Sequence, residues 1–189
     1  MMDRKIGIIS YSAGNIGSIQ RALDRLCIPY NILKKPEDLS EVDGVIFPGA
    51  GAAGNAMQSL KCNNWIDAIK NCKNPFLGIC LGMQLLFEYS EENSTDCIGA
   101  IKGRVIGLPN TLVRPHMGWN KLNSGDYAYF MHSYVCEPED AGIITMSVSY
   151  GKNICAGIRK GNFIGVQWHP EKSGALGDDF LLNFYKLCK

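Results

Sequence analysis

The chain lacks the features that mark membrane and secreted proteins. No apolar run approaches the roughly 20 residues of a membrane span. The first residues, Met-Met-Asp-Arg-Lys, run directly into Ile6-Gly7-Ile8-Ile9 without the longer apolar region and cleavage site of a signal peptide. Excess charge is missing too. Nineteen Lys and Arg against eighteen Asp and Glu leave a formal charge of +1, so nothing electrostatic favours nucleic acid or an anionic membrane. The eight cysteines are scattered, with no Cys-x-x-Cys pair and no zinc-like Cys/His spacing. They are expected to be reduced, in a cytoplasmic protein. No internal repeat, linker or low-complexity segment interrupts the 189 residues, which are expected to form a single domain, 1–189.

Short apolar runs alternate with helical patterns in the first half. Lys5 to Ser10, Tyr30 to Leu33, Val42 to Phe47 and Phe76 to Cys80 have the composition of buried strands. Ala13 to Gly17 is a Gly-rich turn before Ile19, Ala22, Leu23 and Leu26, which recur at helical spacing up to Pro29. Asn55 is a candidate cap for a helix after Gly54, and Trp65, Ile66 and Ile69 mark another. Met83, Leu85, Leu86 and Phe87 suggest a helix after Cys80. Such alternation implies crossovers and a largely parallel sheet.

From residue 91 the pattern changes. Glu91 to Asp96 is polar and reads as a surface loop. Arg104 to Leu108, Tyr127 to Val135, Ile143 to Tyr150, Ile154 to Ile158 and Phe163 to Trp168 read as strands, some of them antiparallel additions at one sheet edge. Leu176, Phe180, Phe184 and Leu187 predict a closing helix with one apolar stripe against the sheet.

The chain is organised around Gly78-Ile79-Cys80-Leu81-Gly82, between a strand-like run and a helix-like one. A sharp strand-to-helix turn lifts its central residue above the sheet edge, and flanking glycines remove Cβ atoms that would clash there. A helix N-terminus also favours thiolate over thiol. Alone, the pentapeptide serves equally well as a tight turn around a structural cysteine. The Gly-rich loop Pro48 to Gly54 has neither the Lys-Ser/Thr of a P-loop nor a dinucleotide fingerprint. By itself it reads as a tight turn, although its backbone N–H groups could form an oxyanion hole.

Three histidines can be weighed one by one. His169 follows a strand and has Glu171 two residues on, a base and its orienter. His116 and His132 sit among aromatics and are expected to position loops rather than transfer protons.

Gly-Ile-Cys-Leu-Gly-Met-Gln at 78–84 and His-Pro-Glu at 169–171 resemble the class I (triad) glutamine amidotransferases, and the resemblance covers nearly the whole chain. Pro-Gly-Ala-Gly at 48–51, Pro-His-Met-Gly-Trp-Asn at 115–120, His-Ser-Tyr at 132–134 and His-Pro-Glu-Lys-Ser at 169–173 are similar to the glutaminase subunits of imidazole glycerol phosphate synthase. The resemblance implies an α/β, flavodoxin-like three-layer sandwich around a central mixed, mainly parallel sheet, and no metal or organic cofactor. It implies Cys80 as nucleophile, His169 as general base and acid, and Glu171 as orienter. The N–H of Leu81 and one from Gly49, Ala50 or Gly51 would form the oxyanion hole. Gln84, with the backbone of Ser133 and Tyr134, would hold glutamine. The implied partner is a (β/α)8 cyclase, forming a heterodimer, with Asn15, Trp119, Tyr129 and Lys172 at the junction. A paralogous subunit supplying ammonia for bacterial surface sugars, a cysteine peptidase and a catalytically silent binding subunit are the alternative readings.

Overall fold

Three short apolar segments, each buried at every residue, form the middle of the fold: β1 (Ile6–Ile9), β3 (Gly44–Phe47) and β4 (Phe76–Ile79). β2 (Tyr30–Leu33) lies at the sheet edge beside β1, in a computed structural model that describes residues 4–11 and 15–188. Continuous rather than alternating burial is what a parallel strand covered on both faces requires. The later strands are β5 (Tyr89–Ser90), β6 (Thr95–Asp96), β7 (Gly103–Gly107), β8 (His116–Lys121) and β9 (Tyr127–His132). They continue with β10 (Tyr134–Pro138), β11 (Ile144–Tyr150), β12 (Lys152–Lys160) and β13 (Phe163–Val166). The helices are α1 (Ile16–Arg25), α2 (Ala53–Cys62), α3 (Trp65–Asn71), the single turn α4 (Leu81–Gln84) and α5 (Gly174–Leu187).

The main sheet has seven strands in the order β11-β12-β13-β4-β3-β1-β2. Pairing is parallel from β13 across to β2, and antiparallel where β11 and β12 extend the β13 edge. Val45, Phe47 and Phe76 pack on one side against Met57, Leu60, Trp65 and Ile69 of α2 and α3. Ile8, Ile46 and Leu77 pack on the other against Ile19 and Leu23 of α1 and Leu181 and Phe184 of α5. The result is a three-layer α/β sandwich with a mixed, mainly parallel sheet. A four-stranded sheet β10-β7-β5-β6 and the ribbon β8–β9 lie beside it.

Several local expectations are corrected. The helix predicted through Leu85, Leu86 and Phe87 stops at Gln84. The carbonyls of Leu85, Leu86 and Phe87 accept instead from the N–H groups of Ile98, Ile101 and Gly99, at 2.9, 2.9 and 2.7 Å. All three side chains are fully buried, which a one-sided surface helix does not allow. Asn55 is not a cap, because α2 begins at Ala53 and the Ala53 N–H donates to Glu92 Oε2 at 2.8 Å. The buried stripe of α5 runs through Gly177, Leu181 and Phe184, and Leu187 is exposed. The run Tyr127 to Val135 breaks at Ser133, whose carbonyl accepts from Leu108 N at 2.9 Å as the chain passes from the ribbon to the four-stranded sheet. Asn15 caps α1 by accepting from Ser18 N at 3.3 Å. Ala13 and Gly14 of the predicted turn lie outside the described residues.

Candidate active site

Strands β3, β4 and β13 are parallel neighbours, so their C-terminal ends open onto one sheet edge. The Gly49 loop leaves β3, Cys80 leaves β4, and Gln167 to His169 leave β13. Cys80 has φ 52° and ψ −110°, an uncommon conformation for a side chain with a Cβ, stored here at a turn. The flanking glycines are required by close approach: a Cβ on Gly82 would overlap the Phe47 carbonyl, and one on Gly78 would come within 2.8 Å of the Gly82 oxygen. The Gly49 backbone also lies tightly on α4, where a Cβ at 49 would be 2.6 Å from Leu81 Cβ. Tyr11 anchors the same loop, its buried hydroxyl donating to the Pro48 carbonyl at 2.8 Å.

The Cys80 thiol is held between two polar groups. Gln167 Nε2 donates to Sγ at 3.5 Å, and Sγ donates to the Met131 carbonyl at 3.8 Å. His169 Nδ1 donates to Glu171 Oε1 at 2.8 Å, with both side chains buried. The other imidazole nitrogen, Nε2, is buried without a hydrogen-bond partner among the described residues. Burial pushes the His169 pKa down. The Cys80 sulfur nearby and the Glu171 carboxylate on Nδ1 outweigh it and raise it to about 10. Its backbone is fixed as well, since His169 N donates to the Tyr129 carbonyl at 2.9 Å. Ser173 Oγ donates to the His169 carbonyl at 2.7 Å and accepts from Tyr129 N at 3.0 Å.

These groups line one cavity of about 220 Å³, which brings together Gly49, Ala50, Gly51, Cys80, Leu81, Gln84, Ser133, Tyr134 and His169. Glu171 stands behind His169 rather than in the lining. Glu92, Met131 and His132 also line the cavity and were not expected there. Gln167 was likewise missed, although residues two apart in an extended segment share a face and His169 is two residues on. Glu92 left no such signal. Its polar segment reads as a surface loop, and only the packing of the 92–94 turn on α2 brings it to the cavity. The arrangement is a thiol, an imidazole backed by a carboxylate, and a Gly-rich backbone facing both, which suits acyl transfer from an amide.

The family model for "Glutamine amidotransferase class-I" matches residues 8–187. This chain belongs to that family. The "Imidazole glycerol phosphate synthase subunit HisH" of Bacillus subtilis (strain 168) is 40% identical, covering 97% of this chain and 96% of that protein. The protein of the same name from Moorella thermoacetica is 39% identical over 98% of this chain and 96% of its own length. A solved structure titled "Crystal structure of glutamine amidotransferase" superposes with a TM-score of 0.78 at 17% identity, covering 96% of this chain and 97% of that one. That last likeness shows the fold.

In this amidotransferase three of the four residues expected at a partner junction share one surface. Trp119 and Tyr129 face each other across the ribbon with ring centroids 6.0 Å apart, and Lys172 Nζ lies 5.7 Å above the Tyr129 ring. Trp119 is exposed, together with Met117, Tyr127 and Met131 of the same ribbon. Asn15 stands apart from that cluster, at the head of α1, which packs on the 170–172 turn. Among the described residues no group of three or more His, Cys, Asp or Glu could hold a metal ion, and no helix is long and apolar enough to cross a membrane.

Proposed function

We propose that this chain is the glutaminase subunit of imidazole glycerol phosphate synthase, a single-domain cytoplasmic enzyme of histidine biosynthesis. The observation that carries the chemistry is the buried His169–Glu171 pair at 2.8 Å in the site whose cavity also contains the Cys80 thiol. The near-full-length relatives named HisH support the pathway.

As Cys80 Sγ attacks the side-chain carboxamide carbon of glutamine, its proton passes to His169 Nε2. The tetrahedral oxyanion is held by the Leu81 N–H and one from Gly49 to Gly51. The first N–H groups of α4 have no partner within that helix. As the C–N bond breaks, His169 Nε2 supplies the proton that lets ammonia leave. It then takes a proton from water, which attacks the thioester, releases glutamate and returns the thiol. Glu171 accepts from Nδ1–H throughout and keeps Nε2 toward the sulfur. Gln84 and the backbone of Ser133 and Tyr134 hold the amino-acid end of the substrate. The Glu92 carboxylate at the cavity wall suits its ammonium.

Ammonia passes to a (β/α)8 cyclase docked on the ribbon surface around Trp119, Tyr129 and Lys172, with Asn15 at its margin. There it completes imidazole glycerol phosphate and releases the aminoimidazole carboxamide ribotide. Docking also activates the glutaminase. Gly51, at φ 101°, sits where a side chain is strained, so the loop can reorient an N–H at little cost. One oxyanion donor is worth about 10²–10³ in turnover. Glutamate release should therefore be measured for the chain alone, with the cyclase, and with cyclase plus acceptor analogue. Stimulation in the last two supports the reading. Equal rates in all three remove the activation mechanism, and a rise only with an amino-sugar synthase moves the subunit to a surface-sugar pathway.

A further inference from the structure

Two buried histidines take no part in that mechanism, yet their hydrogen bonds lead to it. We propose that His132 and His116 are positioning residues for the glutamine site, through a one-way hydrogen-bond chain that ends on Gln84 and the nucleophile. The inference rests on the glutaminase reading.

The direction of the chain follows from one carbonyl. Tyr134 O can only accept, and it takes two bonds, from His132 Nδ1 at 2.9 Å and from Gln84 Nε2 at 3.0 Å. His132 Nδ1 therefore carries the proton and its Nε2, when neutral, must accept. The group facing Nε2 is His116 Nδ1 at 3.0 Å, which must donate. His116 Nε2 is then an acceptor and takes the amide N–H of Asn120 at 3.2 Å. Asn120 Nδ2 spends its other hydrogen on the Ser149 carbonyl at 3.1 Å, and its Oδ1 accepts from Lys121 N at 2.7 Å. No link can be reversed without setting two donors or two acceptors face to face.

On the far side of Tyr134 the same logic fixes two amides. Gln84 Nε2 gives its second hydrogen to Gln167 Oε1 at 2.9 Å, so Gln167 must turn its own Nε2 toward Cys80 Sγ. Gln84 Oε1 receives no hydrogen bond from the described residues, and Gln84 lines the cavity. The chain thus presents an oxygen, not an NH₂, to the bound amino acid, and a donor to the sulfur.

The arrangement works only while both imidazoles are neutral. Protonated His132 would aim Nε2–H at His116 Nδ1–H. The titratable neighbours of His132 are His116 on β8, Cys80 at the head of α4, and His169 with Glu171 beyond β13. Burial, then the charges of His116 and His169, hold its pKa down at about 4 against the raising effect of the Tyr134 hydrogen bond. The pair sits on the buried face of the ribbon, with the His116 ring stacked on Phe130 and Tyr150 at 4.8 and 4.0 Å.

The chain has three histidines, so nitrogen-15 NMR of the subunit resolves each one. At pH 7 both His116 and His132 are expected as neutral Nδ1–H tautomers. An Nε2–H tautomer or an imidazolium at either position overturns the proposal, whatever the enzyme's activity. The kinetic arm uses the subunit in complex with its cyclase. His116→Phe keeps a ring between Phe130 and Tyr150 but removes the donor. One lost hydrogen bond is worth roughly a 2- to 10-fold fall in kcat/KM for glutamine. His132 Nε2, freed of its donor, should also add an acid limb to the pH profile that the wild type lacks, and His116→Gln, which restores an N–H, should remove it. A folded His116→Phe complex with wild-type kcat/KM and profile shape refutes the positioning role. A wild-type complex without glutaminase activity refutes the proposed function and leaves the tautomers to be judged by NMR.

Discussion

His169 and His132 line the same cavity and are equally hidden, at 4% and 5% exposure, yet their pKa values are displaced in opposite directions. Burial lowers both. His169 gains a carboxylate on Nδ1 and a thiol nearby, which reverse the effect and bring it to about 10. His132 has a neutral carbonyl and a second imidazole, which do not, and stays at about 4. Depth therefore does not decide which way the pKa of a buried histidine moves. The charge of its hydrogen-bond partners does.

The most severe test removes the thiol that belongs to the His169 side of the contrast. Cys80→Ala should abolish glutamine hydrolysis while the complex still forms product from added ammonium salt. Glutamine-dependent turnover surviving in that variant would end the nucleophile assignment. Next comes the imidazole itself. General acid–base groups contribute roughly 10²–10⁴-fold, so His169→Ala should lose at least about 10²-fold in kcat. Glu171→Ala keeps the ring but removes its anchor, and should cost less than His169→Ala. It should also move the pKa of His169 downward, visible as a shifted limb in the pH–rate profile. A Glu171→Ala defect larger than that of His169→Ala, with folding intact, would mean the two roles are misassigned.

The smallest effect expected is on stability, and here the two histidines should part in sign. A free histidine titrates near about 6.5. His132 sits below that when folded, so the unfolded chain binds its proton first. Stability should fall as pH drops from about 6.5 toward about 4. His169 sits above it, so its contribution is complete below about 6.5 and is lost as pH rises toward about 10. Denaturation midpoints across both windows, for wild type, His132→Gln and His169→Gln, separate the slopes. If His132→Gln leaves the acid slope unchanged, the contrast is wrong at its weaker end.

Much of the machinery was legible in the residues. The elbow needs only neighbours along the chain: an apolar run, a cysteine between glycines, and a turn of helix. The His-Pro-Glu pairing is equally local, two residues apart at a strand end. The parallel core was legible because strands covered on both faces must be apolar throughout, as β1, β3 and β4 are. The end of the helix after Gln84 was not, because hydrogen bonds from residues 98–101 capture the carbonyls that would have continued it.

The composition and local order of this sequence were enough to determine a sharp turn that holds Cys80 between glycines, a histidine paired with a carboxylate two residues on, and a doubly covered parallel sheet. Each follows from steric and hydrogen-bonding rules acting within a few residues. Tertiary structure alone decided that the ends of β3, β4 and β13 meet, and that Glu92 closes the wall beside Ala53. It also decided that the buried carbonyl of Tyr134 sets the proton order from Asn120 to Cys80. Those outcomes depend on strand order and register between segments up to about ninety residues apart, where each buried polar group must find a partner and no local periodicity records which one.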